Sequence, residues 1–530
     1  MGTKCVAIKT KRGINLEGTI LSLLPPVITI ALTILTKRIV LSLGVGILFG
    51  ALTANSWNIT GSAGTIWEIA LSVLGEGWIL LLVLLIGALN ALIYISGGVK
   101  SFAEWAIKRV KTPFQAQLVA LVLGFFCFFD DAFSCLFRGS LVRPVTDEHK
   151  VSRSKLAYLL HSTSAPVIII TPFSAWAGFI AALIGTILID NNITEYGAYQ
   201  TYLMTIPTNY YAITTILLVF AVAYFKLNIG QMKRDEKRAS EEGILFDTSR
   251  GVVPGQEEGA LKVQPGGRLR DLVIPVVTLV GLTLIFATYM GIVNTEGTIT
   301  PLQVLMNTDV ILALVYSAVI AVGVAIISLF SRKIAGNEVA KAVGSGMKAV
   351  LPSVTILFLA LMTANVISLL GVGQYLASLI NNNMSLAWLP VIFFVLSAFM
   401  SFSMGSTFGT FGLMLPIGAE IVAIIDVTYL IPVFGAVLAG CIFGEHSSPL
   451  SDTTILASIG GGVHMMDHLL TQMPYAIISS VVSIVGYVTL GFTKSITVGF
   501  IATLVMLIVM IFLLFRANNR TVGKGSGATV

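Results

Sequence analysis

Charge is what this sequence has least of. Only 11% of its 530 residues are Asp, Glu, Lys or Arg, while 56% are hydrophobic, and the mean hydropathy is +0.91. A soluble domain carries about 25% charged residues, so most of this chain cannot face water. Cysteine is scarce too: Cys5, Cys127, Cys135 and Cys441 have no metal-type spacing, which argues against a disulfide framework or zinc knuckle. Three of them sit in apolar surroundings, where Cys behaves as a small hydrophobe. There is no Gly-x-x-x-x-Gly-Lys-Ser/Thr phosphate loop, since Gly523-Lys524-Gly525-Ser526 lacks the upstream glycine; ATP-driven work is therefore not expected. No Gly-x-Ser-x-Gly elbow occurs with a suitable His and acid. His464 and His468 flank Asp467 at a spacing able to hold a metal, but no third ligand cluster adjoins them. The net charge of +6 does not indicate nucleic acid, because the basic residues lie in short loops and form no basic face.

What the sequence has is apolar runs. Each approaches the ~20 residues needed to cross ~30 Å of hydrocarbon. They predict membrane elements at 19–36, 38–55, 77–97, 114–141, 155–189, 200–225, 272–292, 308–330, 349–370, 387–420, 430–459, 474–492 and 497–515. Lys9, Lys11 and Arg12 before the first run are reminiscent of a signal peptide. No small-residue cleavage site follows, so the run is read as a retained span. A polar stretch rich in charge, Gly and Pro divides the elements. The expected organisation is an N-terminal tail (1–18), a first membrane repeat (19–225) and a cytoplasmic, water-exposed connector (226–271). A second repeat with an extra C-terminal span (272–515) and a tail (516–530) complete it.

Lys and Arg concentrate in cytoplasmic loops, which tests the topology. If 114–141 and 387–420 enter and leave on one side instead of crossing, 27 of the 32 basic residues fall on the connector side. Lys494 is left in an outer loop, and Asp190, Glu195, Glu296 and Asp309 lie in or beside outer turns. The four basic residues of the N-terminal tail are discordant, falling outside. The two re-entrant hairpins then enter from opposite faces.

Each hairpin is followed by an interrupted apolar run, in the same order. The first half reads Asp130-Asp131-Ala132-Phe133-Ser134, then Arg143-Pro144-Val145, then Ser162-Thr163-Ser164-Ala165-Pro166. The second reads Gly405-Ser406-Thr407-Phe408-Gly409-Thr410, then Leu415-Pro416-Ile417, then Ser447-Ser448-Pro449-Leu450-Ser451-Asp452-Thr453-Thr454. Antiparallel repeats with discontinuous helices point to a secondary transporter. A helix broken in hydrocarbon leaves backbone groups unpaired, which is tolerated only where protein, water or an ion satisfies them. Such breaks offer carbonyl and hydroxyl oxygens to Na⁺, and half-helix N-termini suited to a carboxylate. A simple Pro kink is the alternative at each site taken singly.

Ionisable residues inside apolar runs cost at least ~2.5–3.5 kcal/mol at the bilayer centre. Asp130 and Asp131 close a run without other polar side chains; they serve ion exchange or pair structurally with Arg138 or Arg143. Glu445, His446 and Asp452 form a second group among Ser447, Ser448, Ser451, Thr453 and Thr454. His161 precedes Ser162 much as His446 precedes Ser447. Each histidine either carries protons or fills a hydrogen-bonding role. The glycine-rich stretch 405–412 either brings backbone close to a ligand or packs helices closely.

These segments resemble the NhaC family of Na⁺/H⁺ antiporters. The likeness is carried by Phe129-Asp130-Asp131, by Arg143 to Asp147, by Lys155 to Tyr158 with Ser162 to Pro166, and by Gly405 to Ile417. Above all it is carried by Gly444-Glu445-His446-Ser447-Ser448-Pro449-Leu450-Ser451-Asp452-Thr453-Thr454-Ile455-Leu456. The family belongs to the ion transporter superfamily and includes exchangers of malate, lactate and Na⁺ or H⁺. The resemblance implies an all-α polytopic protein with inverted repeats and an elevator-like transport domain, working as a homodimer in a bacterial inner membrane. It places Asp130, Asp131 and Ser134 at the first hairpin and Ser162, Thr163, Ser164 and Pro166 at the first break. Gly405, Ser406, Thr407 and Thr410 fall at the second hairpin, and Glu445, His446, Ser447, Ser448, Pro449, Ser451, Asp452, Thr453 and Thr454 at the second break. Asp130, Asp131, Ser164, Ser448 and Asp452 are the expected Na⁺ ligands. Glu445 stands where the family commonly has Asp, and Ala132 and Ser134 replace a more typical Tyr and Asn.

The expected function is Na⁺/H⁺ antiport, with Na⁺-coupled movement of a small organic anion or amino acid as the alternative and no cofactor beyond the transported ions. An intramembrane enzyme would need a nucleophile and base on adjacent helices, whereas here Ser, His and Asp recur in matched halves. A channel would not need discontinuous helices.

Overall fold

A computed structural model describes residues 19–36, 38–75, 77–128, 131–172, 174–250, 263–295, 304, 308–372, 375 and 385–523. The N-terminal tail, Asp130, Glu296 and the middle of the connector lie outside them. Among the described residues the regular structure is helical. Eight helices are long and apolar enough to cross a membrane, and two bent pairs raise the number to ten. The chain is a multi-pass membrane protein.

Both expected hairpins are pairs of helices. The first runs Pro113–Phe126 and Asp131–Glu148, starting at Thr112, whose side chain accepts from the Gln115 N–H while Pro113 takes the first helical position. Proline there gives up an N–H that would be unpaired anyway. The second runs Leu389–Met404 and Thr407–Ile425 and turns at Gly405, whose φ of 65° suits glycine.

Both expected breaks are present. The run 155–189 is three helices, Arg153–Ser162, Ala165–Ile170 and Ala175–Asp190, because Ser164 and Ser174 each open a new one. The run 430–459 divides into Leu430–Ser447 and Asp452–Gly461. Ser451 caps the second piece by accepting from the Thr454 N–H, the usual role of serine at that position.

Other boundaries move. Residues 59–75, passed over as a loop, form the helix Ile59–Gly75, bent by 53° against the next one. Its Ser, Thr and Glu residues interrupt the hydropathy, but Ser62 donates to the Ala51 and Asn58 carbonyls. The amide of Asn55 likewise bonds Thr65 Oγ1 at 2.9 Å. The predicted 349–370 and 474–492 extend to Gly336–Leu370 and Met465–Thr493, since helices continue past the apolar window into polar turns. The connector is not all water-exposed. Its helix Gly230–Glu242 docks on the start of the first broken helix, where Ser154 Oγ donates to buried Asp235 at 2.7 Å. Close by, Lys155 Nζ donates to Asn228 at 2.6 Å.

Glycines bring the two halves together. A Cβ on Gly139, in the first hairpin, would collide with the Gly460 backbone, and one on Gly461 would lie 2.8 Å from the Ala157 Cβ. The short helix Asp452–Gly461 is thereby pressed against the first hairpin and first broken helix. Gly440 and Gly444 seat Leu430–Ser447 equally closely on Leu389–Met404. Replacing Gly139 with Ala is expected to cost about 1–3 kcal/mol through overpacking. Thermal unfolding in detergent should show a melting temperature lower by several degrees; an unchanged value would count against this packing.

Candidate functional site

Five helical segments meet at the second break. His161 comes from the last turn of Arg153–Ser162, Glu445 and His446 from the last turn of Leu430–Ser447, and Thr453 from the start of Asp452–Gly461. His468 and Gln472 come from Met465–Thr493 and Tyr211 from Tyr210–Tyr224. All seven, with Ser451, are buried.

Glu445 is the centre. Its Oε1 accepts from Ser451 Oγ at 2.6 Å and faces His161 Nε2 at 3.3 Å. Its Oε2 has no hydrogen-bond partner among the described residues and lies 3.8 Å from His446 Nε2. Thr453 Oγ1 meets Ser451 Oγ at 2.7 Å and His161 Nε2 at 3.3 Å. On the far side His446 Nδ1 pairs with the Tyr211 hydroxyl at 3.2 Å. The His161 and His446 rings stand edge-to-face at 4.5 Å. Among the described residues, the hydroxyls of Ser447 and Thr454 and the His446 Nε2 are buried without hydrogen-bond partners. A buried polar group without a partner costs about 1–3 kcal/mol; several around one carboxylate mark a place prepared for something charged or polar.

The other expected residues divide between the two ends of the first half. Asp130 lies outside the described residues. Asp131 is half-buried at the start of its helix, and its carbonyl accepts from Ser164 Oγ at 2.9 Å, joining hairpin to break. Thr163 accepts from Arg138 Nη1 at 2.8 Å. Arg138 is fully buried. It also donates to the carbonyls of Ser134, Ala120 and Leu160, so it holds both arms of the first hairpin against the first break. The described hydrogen bonds of Arg138 go to carbonyls and a hydroxyl, while Asp130, one of the two carboxylates expected near it, lies outside the described residues. The Ser134 hydroxyl is buried without a partner, and Pro166 sits at the start of Ala165–Ile170.

In the second half, Gly405 touches the second break: a Cβ there would stand 2.6 Å from the Leu450 carbonyl carbon. The Ser406 carbonyl accepts from Thr410 Oγ1 at 3.0 Å, and Thr407 is buried. Ser448 Oγ accepts from the Leu450 N–H at 3.1 Å, spanning Pro449. Asp452 is exposed at the first position of its helix, and its Oδ1 accepts from the Thr453 N–H.

Residues outside the expected set complete the site: His161, His468, Gln472, Tyr211 and Arg138. His468 and Gln472 stand four residues apart and share one helix face, and His464 caps that helix at its N-terminus. His468, read as part of a failed metal spacing, in fact lies on the face turned to the site. Nothing in the local sequence singles out Tyr211.

The model of a family described as the Na⁺/H⁺ antiporter family matches residues 167–492. An uncharacterized protein of Haemophilus influenzae is 38% identical over 94% of this chain and 96% of its own. The malate-2H⁺/Na⁺-lactate antiporter of Bacillus subtilis is 26% identical over 42% of this chain and 45% of its own. Among solved structures, the YdaH transporter of Alcanivorax borkumensis superposes with a TM-score of 0.52 at 14% identity, covering 86% of this chain and 90% of that one. That likeness is one of fold.

Proposed function

The chain belongs to the Na⁺/H⁺ antiporter family and is a Na⁺-coupled antiporter, and we propose that it exchanges Na⁺ for H⁺ at the second break, with Glu445 as the proton-carrying group. The observation that carries this is the state of Glu445. One oxygen is shared by Ser451 and His161, while the other is buried with no hydrogen-bond partner among the described residues. A carboxylate so placed is costly when charged and relieved by a proton or a nearby cation.

In this reading Na⁺ is held by oxygens at the helix breaks, from Ser164 and Ser448, with Asp131 and Asp452 supplying charge; Asp130, expected to join them, lies outside the described residues. Thr163, Ser162, Ser447, Thr454 and the Gly405–Thr410 turn shape the surroundings. Protonating Glu445 removes negative charge from the same region, so occupancy by H⁺ opposes occupancy by Na⁺, and the two ions are coupled. The matched hairpins and breaks are inverted repeats, and the protein works as an elevator-type carrier. We further place it, as a homo-oligomer without a cofactor, in a bacterial inner membrane. A transporter accounts for the matched hydroxyls and carboxylates better than an intramembrane enzyme does.

Purified protein in liposomes tests the reading. An outward Na⁺ gradient should drive proton uptake measurable with an internal pH dye, and malate and lactate added singly should leave that signal unchanged. Proton movement requiring malate or lactate would replace plain exchange with the anion-coupled reading that the Bacillus relative's name suggests. No ion movement under any gradient would overturn both. Asp452→Asn should raise the Na⁺ concentration for half-maximal exchange about threefold or more, the effect of one missing charge at the solvent-facing edge of the site. An unaltered Na⁺ dependence would remove Asp452 from the site.

A further inference from the structure

The hydrogen bonds around His161 have a direction. Gln472 Nε2 lies 2.7 Å from the His446 carbonyl, which can only accept, so the amide presents its NH₂ there. The same NH₂ faces His161 Nδ1 at 2.9 Å. His161 Nδ1 therefore accepts, and in the neutral ring the proton sits on Nε2, aimed at Glu445 Oε1 and Thr453 Oγ1, both at 3.3 Å. His468 Nε2 also faces His161 Nδ1, at 3.0 Å, so it too must donate. That leaves the His468 Nδ1 lone pair, which is buried and has no hydrogen-bond partner among the described residues. His464, partly buried, caps the N-terminus of this helix, and its carbonyl accepts from the His468 N–H at 3.1 Å.

From this we propose that His464, His468 and His161 form a proton path between the protein surface and Glu445. It rests on the reading of Glu445 as the proton carrier. A solvent proton reaches His468 Nδ1 by way of His464. The His468 Nε2–H bond breaks as that proton passes to His161 Nδ1, and the His161 Nε2–H proton then passes to Glu445 Oε1. One proton enters and one arrives; both rings end neutral in the opposite tautomer and the carboxylate ends as the acid, and because His161 Nδ1–H then faces the Gln472 NH₂, the rings turn over or the path runs backwards before a second proton follows. Gln472 is a positioning residue, holding His161 in the tautomer that points its proton at Glu445. Histidine chains of this kind suit proton relays inside membrane proteins.

The groups around the path are consistent with it. His446 meets His161 edge-to-face and is tied to Tyr211, and Asp467 adjoins His468 in sequence. Arg138 bonds the Leu160 carbonyl next to His161, and Tyr158 stacks on Tyr475 at 4.8 Å from the neighbouring turns. Apart from Glu445, none of these stands among the described hydrogen bonds of the path between His468 Nδ1 and Glu445.

The test is Na⁺-driven proton movement in liposomes by wild type, His468→Ala, His161→Gln and His464→Gln, with Na⁺ binding to each read from intrinsic tryptophan fluorescence. His468→Ala and His161→Gln should slow exchange roughly 10- to 100-fold while Na⁺ still binds, and His464→Gln about threefold or more. Imidazole in the medium should restore His468→Ala by filling the vacated ring position. His464→Gln changes only a partly exposed entrance residue, so it reports even if the two buried variants do not fold. Wild-type exchange rates and pH profiles in the variants would overturn the path, as would losses that track lost Na⁺ binding and resist imidazole. Absence of exchange in wild type would instead sink the reading of Glu445 itself.

Discussion

Glu445→Gln should abolish proton-coupled Na⁺ movement, lowering the exchange rate in liposomes about 100-fold or more. Glutamine has nearly the same shape, so Ser451 can still donate to its Oε1, and the surrounding helices need not move. It cannot take up a proton or carry a negative charge. If Glu445 is the group for which the two ions compete, either loss ends the coupling. The same substitution should leave stability equal or raised, because an ionised carboxylate buried beside two imidazoles and short of one hydrogen bond is costly to desolvate. Dead transport in a protein that melts no lower than wild type is thus the expected pair of results. Exchange that survives Glu445→Gln would show that the carboxylate is a structural acceptor for Ser451 and His161, and the coupling would have to move to the first half, to Asp131 and its neighbour.

Arg138→Leu should act in the opposite way, through folding. The guanidinium donates to three carbonyls, one on each hairpin arm and one on the first broken helix, and to the Thr163 hydroxyl. Leucine fills much of the volume but leaves those acceptors buried and unpaired. Breaking so buried a charged network costs about 3–5 kcal/mol, a large part of the whole stability of an ordinary domain. The expected outcome is a steep drop in melting temperature or failure to yield a monodisperse protein. Arg138→Lys should rescue little, since one ammonium cannot reproduce a planar fork reaching four acceptors. A variant that melts like wild type would mean the hairpin and break are held by packing alone.

The two sets of expectations show where each kind of information resides. Class and element positions were legible because hydrophobicity is summed over some twenty residues, and such sums survive local irregularity. The breaks were legible because Ser-Pro and Ser-Asp pairs inside apolar runs change backbone hydrogen bonding locally. The helix Ile59–Gly75 was not, since its polar side chains find partners on other turns, at Ala51 and Asn55, that hydropathy does not register. Arg138 was visible only as a charge in an apolar stretch, and a carboxylate partner was the natural guess. Carbonyls left over at a helix break belong to no residue type and leave no mark in the sequence.

The amino-acid sequence by itself determined that this is a polytopic helical protein with a hairpin and a broken helix in each half, because those features follow from composition and from backbone chemistry at particular residues. The tertiary structure alone decided what meets at the second break. His161 and Glu445 are 284 positions apart and His161 and His468 are 307 apart, and they come together because glycines at 139, 460 and 461 let helices of the two halves approach to backbone contact. Pairwise geometry over such separations, and the direction in which each imidazole points its proton, depend on packing that no local pattern encodes.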